Sequence, residues 1–190
     1  MRHRDEAKRR AVFEATVKLV NKIGFAASSV SKIAREARVS PATIYVYYDN
    51  KEDLLRSTYI EIKQRMSEAL SEGLDDSKPI RDILRDFWLK AFDFISRHPD
   101  QFQYTEQFGN SPYCSLVDKK EVEKYFEPMI KIIQRGIDRK ILKNVSFEMF
   151  QIFIFYPITI LANPRLCVDF DGSRKNIETA LSMAWDAITL

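Results

Sequence analysis

Glycine, cysteine and histidine are scarce in this 190-residue sequence, with five, two and two residues respectively. So few glycines, with only seven prolines, leave little material for turns and favour long helices over a sheet with many hairpins. Cys114 and Cys167 lie far apart. That pattern supports neither a disulfide framework nor a cysteine-based zinc site, and a reduced cytoplasmic protein without metal or cofactor is expected. The two histidines come with no glycine-rich phosphate loop, no metal-ligand spacing and no nucleophile–base pair, which argues against an enzyme. Long apolar runs are missing too. The longest apolar stretch, Ile152 to Ala162, contains Pro157 and Thr159 and falls short of the about 20 residues a membrane span needs. The N-terminal MRHRDEAKRR has no apolar segment behind it, so neither a signal peptide nor a membrane partner is expected.

What is present reads as a folded helical protein. Apolar residues make up 45% and charged residues 30%, a composition far from that of disordered chains. The overall charge of +3 hides an asymmetry: residues 1–65 carry a net +6 and residues 66–190 a net −3. A basic first third on a mildly acidic remainder suggests a head for a polyanion and a body with another task. The same split also arises by fluctuation in any helical protein, so the residue pattern must decide.

Apolar residues recur at helical spacing throughout. The first helix is expected over about Asp5 to Ile23, with Val12, Thr16, Leu19, Val20 and Ile23 on one face and Gly24 as its left-handed stop. Ser28 and Ser29 offer caps for a short helix, Val30 to Ala37, whose inward set is Val30, Ile33, Ala34 and Ala37. After Arg38-Val39-Ser40, Ser40 caps a third helix, Pro41 to about Tyr48, with proline at its tolerated first position. Asn50 caps a fourth, running to about Gly73. Further helices are expected over about Pro79 to Arg97, Pro99 to Phe108, Leu116 to Phe126, Pro128 to Ile141 and Ser146 to Ala162. A last one holds Ile177, Leu181, Ala184, Trp185 and Ile188. No strand alternation or internal repeat is present, so the expected fold is all-α, about nine helices. A small head is expected at 1–50 and a larger helical body at 51–190, with the fourth helix as connector.

Residues 28–51, SSVSKIAREARVSPATIYVYYDNK, carry the chemistry. Two short helices joined by a tight turn can hold the second against duplex DNA by packing it on the first. Ile33, Ala34 and Ala37 supply the small and aliphatic contacts of the first helix. Ile44 and Tyr48 anchor the second at an i,i+4 step, which turns Tyr45 and Tyr47 outward. Pro41, Ala42, Thr43 and Val46 also stay free on its N-terminal and outer faces, where an exposed first turn suits base edges and hydroxyls suit phosphate.

The run GFAASSVSKIAREARVSPATIYVYYDNKEDLL resembles the signature of the tetracycline-repressor (TetR) family of helix-turn-helix regulators, and the likeness extends from Ala11 through Leu55. The later residues match only the family's helix layout. The resemblance implies a homodimer whose third helices enter successive major grooves of double-stranded DNA. It implies that Pro41, Ala42 and Thr43 face bases, that Tyr45, Val46, Tyr47 and Lys51 contact phosphates, and that Ser29 and Ser31 lie near the backbone. Three positions depart from the pattern. Arg38 stands where the family often has glycine, at a cost of about 1 kcal/mol if left-handed. Asp49 stands where a basic residue is common. The segment Ser40 to Tyr48 has no Arg, Lys, Asn or Gln, so the usual bidentate partners of guanine and adenine are missing. Readout is then expected to lean on Thr43 and on contact of Ala42 and Pro41 with thymine methyls. Lys32, Arg35, Arg38 and the arm residues Arg2 and Arg4 would supply charge, giving an A·T-weighted operator and strong salt dependence.

Beyond the head the chain is rich in aromatic rings, which make either core or the walls of a small-molecule pocket. The resemblance raises the second option. The lining candidates are Met66, Phe87, Trp88, Phe92, Phe102, Phe108, Phe126, Met129 and Phe155, with Glu106 and His98 as ionisable neighbours, and a hydrophobic effector is expected. The helix from Ser146 to Ala162 is apolar nearly all round and must be covered on more than one side. Phe147, Phe150, Ile154 and Ile158, with Ile177, Leu181, Trp185 and Ile188, are expected to form a four-helix dimer surface; the alternative is an ordinary monomer core. An effector against Met66 or Phe102 would tilt the fourth helix and release the operator. An adaptor that binds anionic lipid through its basic head is the competing non-enzymatic reading.

Overall fold

The lack of turn formers is expressed as helix. The computed structural model describes residues 2–190, with side chains from Asp5 onward, and is all-α. The arm residues Arg2 and Arg4 therefore lie outside the described side chains. In order, the helices are α1 (Arg2–Ala27), α2 (Val30–Glu36), α3 (Pro41–Tyr45), α4 (Lys51–Ser71), α5 (Ile80–Arg97), α6 (Pro99–Gly109), α7 (Lys119–Glu123), α8 (Glu127–Asp138), α9 (Phe147–Phe150), α10 (Tyr156–Leu161) and α11 (Arg174–Ile188). Among the described residues, β-type pairing is confined to an isolated bridge between Leu142 and Thr189. No described helix is long and apolar enough to cross a membrane.

Packing divides the chain into two compact units, Met1–Gln64 with Asp100–Val122, and Arg65–Pro99 with Glu123–Leu190. This differs from the division expected at residue 50, and the reason lies in the first unit's core. Phe25 meets the rings of Tyr104, Phe108 and Tyr113 at centroid distances of 5.4, 5.8 and 5.4 Å. The buried Tyr104 hydroxyl donates to the Leu55 carbonyl at 2.9 Å. Residues 100–122 and most of α4 thus pack with α1. Gly24 takes φ 78°, as its stop position requires, but the chain resumes a helical turn to Ala27. That extra turn carries Phe25 inward. A second cluster, with Val12, Ala15, Val30, Ile33, Ala34, Ile44, Tyr48 and Leu54, holds α1 to α4 together.

In the second unit α5 packs against α8, α10 and α11, burying Ile83, Leu84, Phe87, Trp88 and Ala91. Gly136 allows a close approach: a Cβ there would lie 2.5 Å from Leu142 Cδ1. Two expected helices are broken. In the first unit, the stretch expected as a helix from Leu116 begins instead with a 3-10 turn, Pro112–Leu116, that ends in extended Val117 (φ −109°, ψ 123°) before α7. The expected helix from Ser146 to Ala162 contains a π-turn over Gln151–Phe155 between α9 and α10. Pro157 lacks an N–H, and its ring crowds the carbonyl four residues earlier. One widened turn accommodates both.

Candidate nucleic-acid interface

Ser29 caps α2, its hydroxyl accepting from the Lys32 amide at 3.3 Å. The helix closes in a left-handed turn at Arg38 (φ 55°). There the amide of Val39 donates to the Ala34 carbonyl at 2.9 Å and that of Arg38 to the Arg35 carbonyl at 3.2 Å, a Schellman closure of the kind usually built on glycine. Arg38 thus takes the strained conformation expected from its position. Ser40 then caps α3, accepting from the Thr43 amide at 3.2 Å, and Pro41 opens the helix. The helix is shorter than expected, ending at Tyr45 with Val46 as its C-cap. Tyr48 still folds back, its amide donating to the Ile44 carbonyl at 3.0 Å.

Ile44 and Tyr48 are 1% and 6% exposed, whereas Tyr45 and Val46 are 56% and 75% exposed. Ser29, Ser31, Pro41 and Ala42 are exposed as well; Thr43, Tyr47 and Lys51 are half-buried. The nine residues therefore span positions 29–51 of the first unit, from the cap of α2 to the start of α4, and none of them is fully buried. Their polar groups are partly engaged. The hydroxyls of Ser40 and Thr43 share a hydrogen bond of 2.9 Å, and Lys51 Nζ donates to the Ala26 carbonyl at 3.3 Å. The ammonium has three donors, so two stay available. The Tyr47 hydroxyl donates at 3.4 Å to the Asp5 carboxylate. Partial burial first, and then Asp5, push its phenol above the ordinary value, so it stays a hydrogen-bond donor at neutral pH. Lys32, Arg35 and Arg38 are exposed around this surface. Asp49 is exposed too; its amide donates to the Asp53 side chain at 3.1 Å. Behind the surface, Lys18 and Glu36 pair at 2.5 Å, and that bond and charge hold the Glu36 carboxyl below its usual value.

The effector candidates distribute over both units. In the first, Phe102 and Phe108 are buried and Glu106 is half-buried. Burial pushes the Glu106 carboxyl above its usual range. In the second, Met66, Phe87, Trp88 and Met129 are buried, and Phe92, Phe126 and Phe155 are half-buried. His98 is exposed at the C-terminal cap of α5, its ring 4.8 Å from that of Phe94. The fully buried Trp88 indole N–H has no acceptor among the described residues.

Most of the expected dimer stripe is covered within a single chain. Phe150, Ile154, Ile158, Ile177, Leu181 and Ile188 are each less than 9% exposed within a single chain, and Phe147 and Trp185 are half-buried. Those six side chains are occupied by the chain's own core. The solvent face of the same segment holds Met149, Ile152, Phe153, Tyr156 and Ile160 instead, and Met183 is exposed on α11. A helix apolar all round has two equivalent stripes, and periodicity alone selects neither.

Comparison with known proteins places this geometry. Residues 12–58 match the family described as bacterial regulatory proteins, tetR family, and residues 79–189 match a tetracyclin repressor-like C-terminal domain. A TetR family transcription regulator from Marinobacter aquaeolei VT8 is similar over 100% of this chain and 99% of its own, with 35% identity and a TM-score of 0.91. An uncharacterized HTH-type transcriptional regulator from Haemophilus influenzae is 24% identical over 93% of both chains. A fatty acid metabolism regulator protein from Bacillus subtilis is 32% identical over 45% of this chain and 44% of its own.

Proposed function

The chain belongs to the TetR family of helix-turn-helix transcriptional regulators, and we propose that it is a repressor that binds a palindromic operator as a homodimer and is released by a hydrophobic effector. Its relatives are transcriptional regulators, not enzymes. The observation that carries the operator reading is the two-sidedness of α3, with Ile44 and Tyr48 buried beside exposed Tyr45 and Val46. A helix anchored by two side chains on a firm core presents its first turn as a rigid probe. Pro41 and Ala42 offer apolar surface to thymine methyls, and Thr43 keeps hydrogen-bonding capacity beyond its bond to Ser40. Tyr45, Val46, Tyr47, Lys51, Ser29 and Ser31 set the register on the phosphates.

Two such helices meet adjacent major grooves only if a second copy holds them about 34–36 Å apart. The exposed Met149, Ile152, Phe153, Tyr156 and Ile160 face is the surface we assign to that copy, in place of the stripe its own core occupies. In this reading residues 1–50 bind DNA, residues 51–190 bind effector and partner, and α4 connects them; the matches at 12–58 and 79–189 support a head and a body of about these extents. The buried, unpartnered Trp88 N–H and the rings of the effector candidates support an apolar ligand carrying at least one hydrogen-bond acceptor. Coupling of ordinary size, about 1–3 kcal/mol, would weaken operator binding about 5- to 150-fold when effector binds. An electrophoretic shift on sites selected from random DNA, repeated with an added effector, tests this. Specific binding that weakens on addition supports the reading; binding that tightens refutes release.

A further inference from the structure

Lys63, on α4, is half-buried, and no hydrogen bond or ion pair holds its ammonium among the described residues. The other cations of this helix differ. Lys51 donates to the Ala26 carbonyl, Arg56 pairs with Glu121 and donates to the Leu116 carbonyl, and Arg65 has a partner of its own. Lys63 Nζ instead lies 5.4 Å from the centroid of the Tyr59 ring. That ring stacks on the buried Phe108 at 4.4 Å, so the ammonium stands beside an aromatic ring held firmly by the core. Loss of hydration lowers its pKa from 10.5 to about 8, which still leaves it mostly charged at neutral pH.

A cation over a ring recovers only part of the hydration it gives up. A half-buried ammonium without an anion beside an apolar wall is complementary to a ligand with a monoanionic head and an apolar body. We propose that Lys63 is the anchor for the carboxylate of an amphipathic effector, with the Tyr59 ring, backed by the buried Phe108, receiving the first part of its apolar chain. A single positive charge matches a single negative one; a dianionic head would bring surplus charge into poorly hydrated surroundings. The inference rests on the effector reading above and narrows it from a hydrophobic ligand to an anionic amphiphile.

The test uses the full chain and two series of probes, n-alkanoates of eight to sixteen carbons and the n-alkanols of the same lengths, by calorimetric titration at neutral pH. The unaltered protein is expected to prefer the acid over the matched alcohol by about 10-fold or more, the scale of a charge-assisted hydrogen bond. Lys63→Met keeps the aliphatic stem and is expected to erase that preference, lowering acid affinity far more than alcohol affinity. Lys63→Arg is expected to retain it. Equal binding of acid and alcohol by the unaltered protein would overturn the anchor and leave the effector reading standing. So would an unchanged preference in Lys63→Met. Binding of neither series would overturn the anchor and the hydrophobic-effector reading together. The alcohol series also separates the anchor from misfolding, because a variant that fails to fold loses both ligands.

Discussion

Two of the regions where large apolar side chains reach solvent differ in kind. On α3 the exposed Tyr45 and Val46 stand beside hydroxyls, with Lys32, Arg35 and Arg38 exposed on the neighbouring helix and turn. On the segment from α9 to α10 the exposed large apolar residues are Met149, Ile152, Phe153, Tyr156 and Ile160, with Glu148 and Gln151 the exposed polar residues among them and no exposed cation. A small apolar probe within a basic, hydroxyl-bearing surface suits a polyanion with methyl groups in its grooves. A broad apolar stripe suits another protein surface of the same kind. Exposure alone therefore does not name a partner; the chemistry bordering it does.

Breaking the second region should have the largest effect. Ile152→Glu would place an unpaired charge in the proposed contact between copies. The dimer is expected to weaken about 100-fold or more, read as a shift to monomer in light scattering at micromolar concentration, with operator binding lost in parallel. A dimer that survives Ile152→Glu would remove that face from the interface. In the first region, Thr43→Ala should cost about 1–3 kcal/mol of operator affinity and relax preference at one base position. Lys51→Ala should instead weaken all sequences alike and reduce the slope of log affinity against log salt by about 0.9. Identical behaviour of the two variants in a salt titration would mean that Thr43 reads no base.

Smaller effects sharpen the contrast between the two units' interiors. Gly136→Ala would push a methyl into Leu142 Cδ1. Overpacking of this sort costs about 1–3 kcal/mol, against about 1 kcal/mol gained in helix propensity, so a net loss of up to about 2 kcal/mol is expected in urea unfolding at fixed protein concentration. The left-handed closures at Arg38 and Lys140, both at φ 55°, use the same hydrogen-bond pattern, one in each unit. Glycine at either should stabilise by about 1 kcal/mol. A gain at Lys140 without one at Arg38 would show that the Arg38 side chain makes a compensating contact.

The first unit was largely legible in the sequence because its signals are local. Ser29, Ser40 and Asn50 cap the helices expected of them, Ile44 and Tyr48 anchor α3, and Arg38 takes the strained turn. What failed there depended on distant packing. Nothing near Phe25 announces that its ring will meet Tyr104 and Phe108, so residues 100–122 were expected to belong elsewhere. In the second unit Phe150, Ile154 and Ile158 are legible as an apolar stripe, but the sequence does not say that their own chain already covers them. The opposite face is equally apolar, and the π-turn beside Pro157 leaves no periodic trace. Lys63 was overlooked because an amphipathic helix carries many lysines, and only the neighbouring rings and missing partner distinguish this one.

Enrichment of bound DNA from a random pool by the full chain tests the central claim most directly. The account predicts an A·T-weighted palindrome whose half-site centres lie about 10–10.5 base pairs, or a multiple, apart, and loss of that enrichment in the double variant Thr43→Ala, Tyr45→Ala. A pool that returns no palindrome, or the same one after both substitutions, would contradict it.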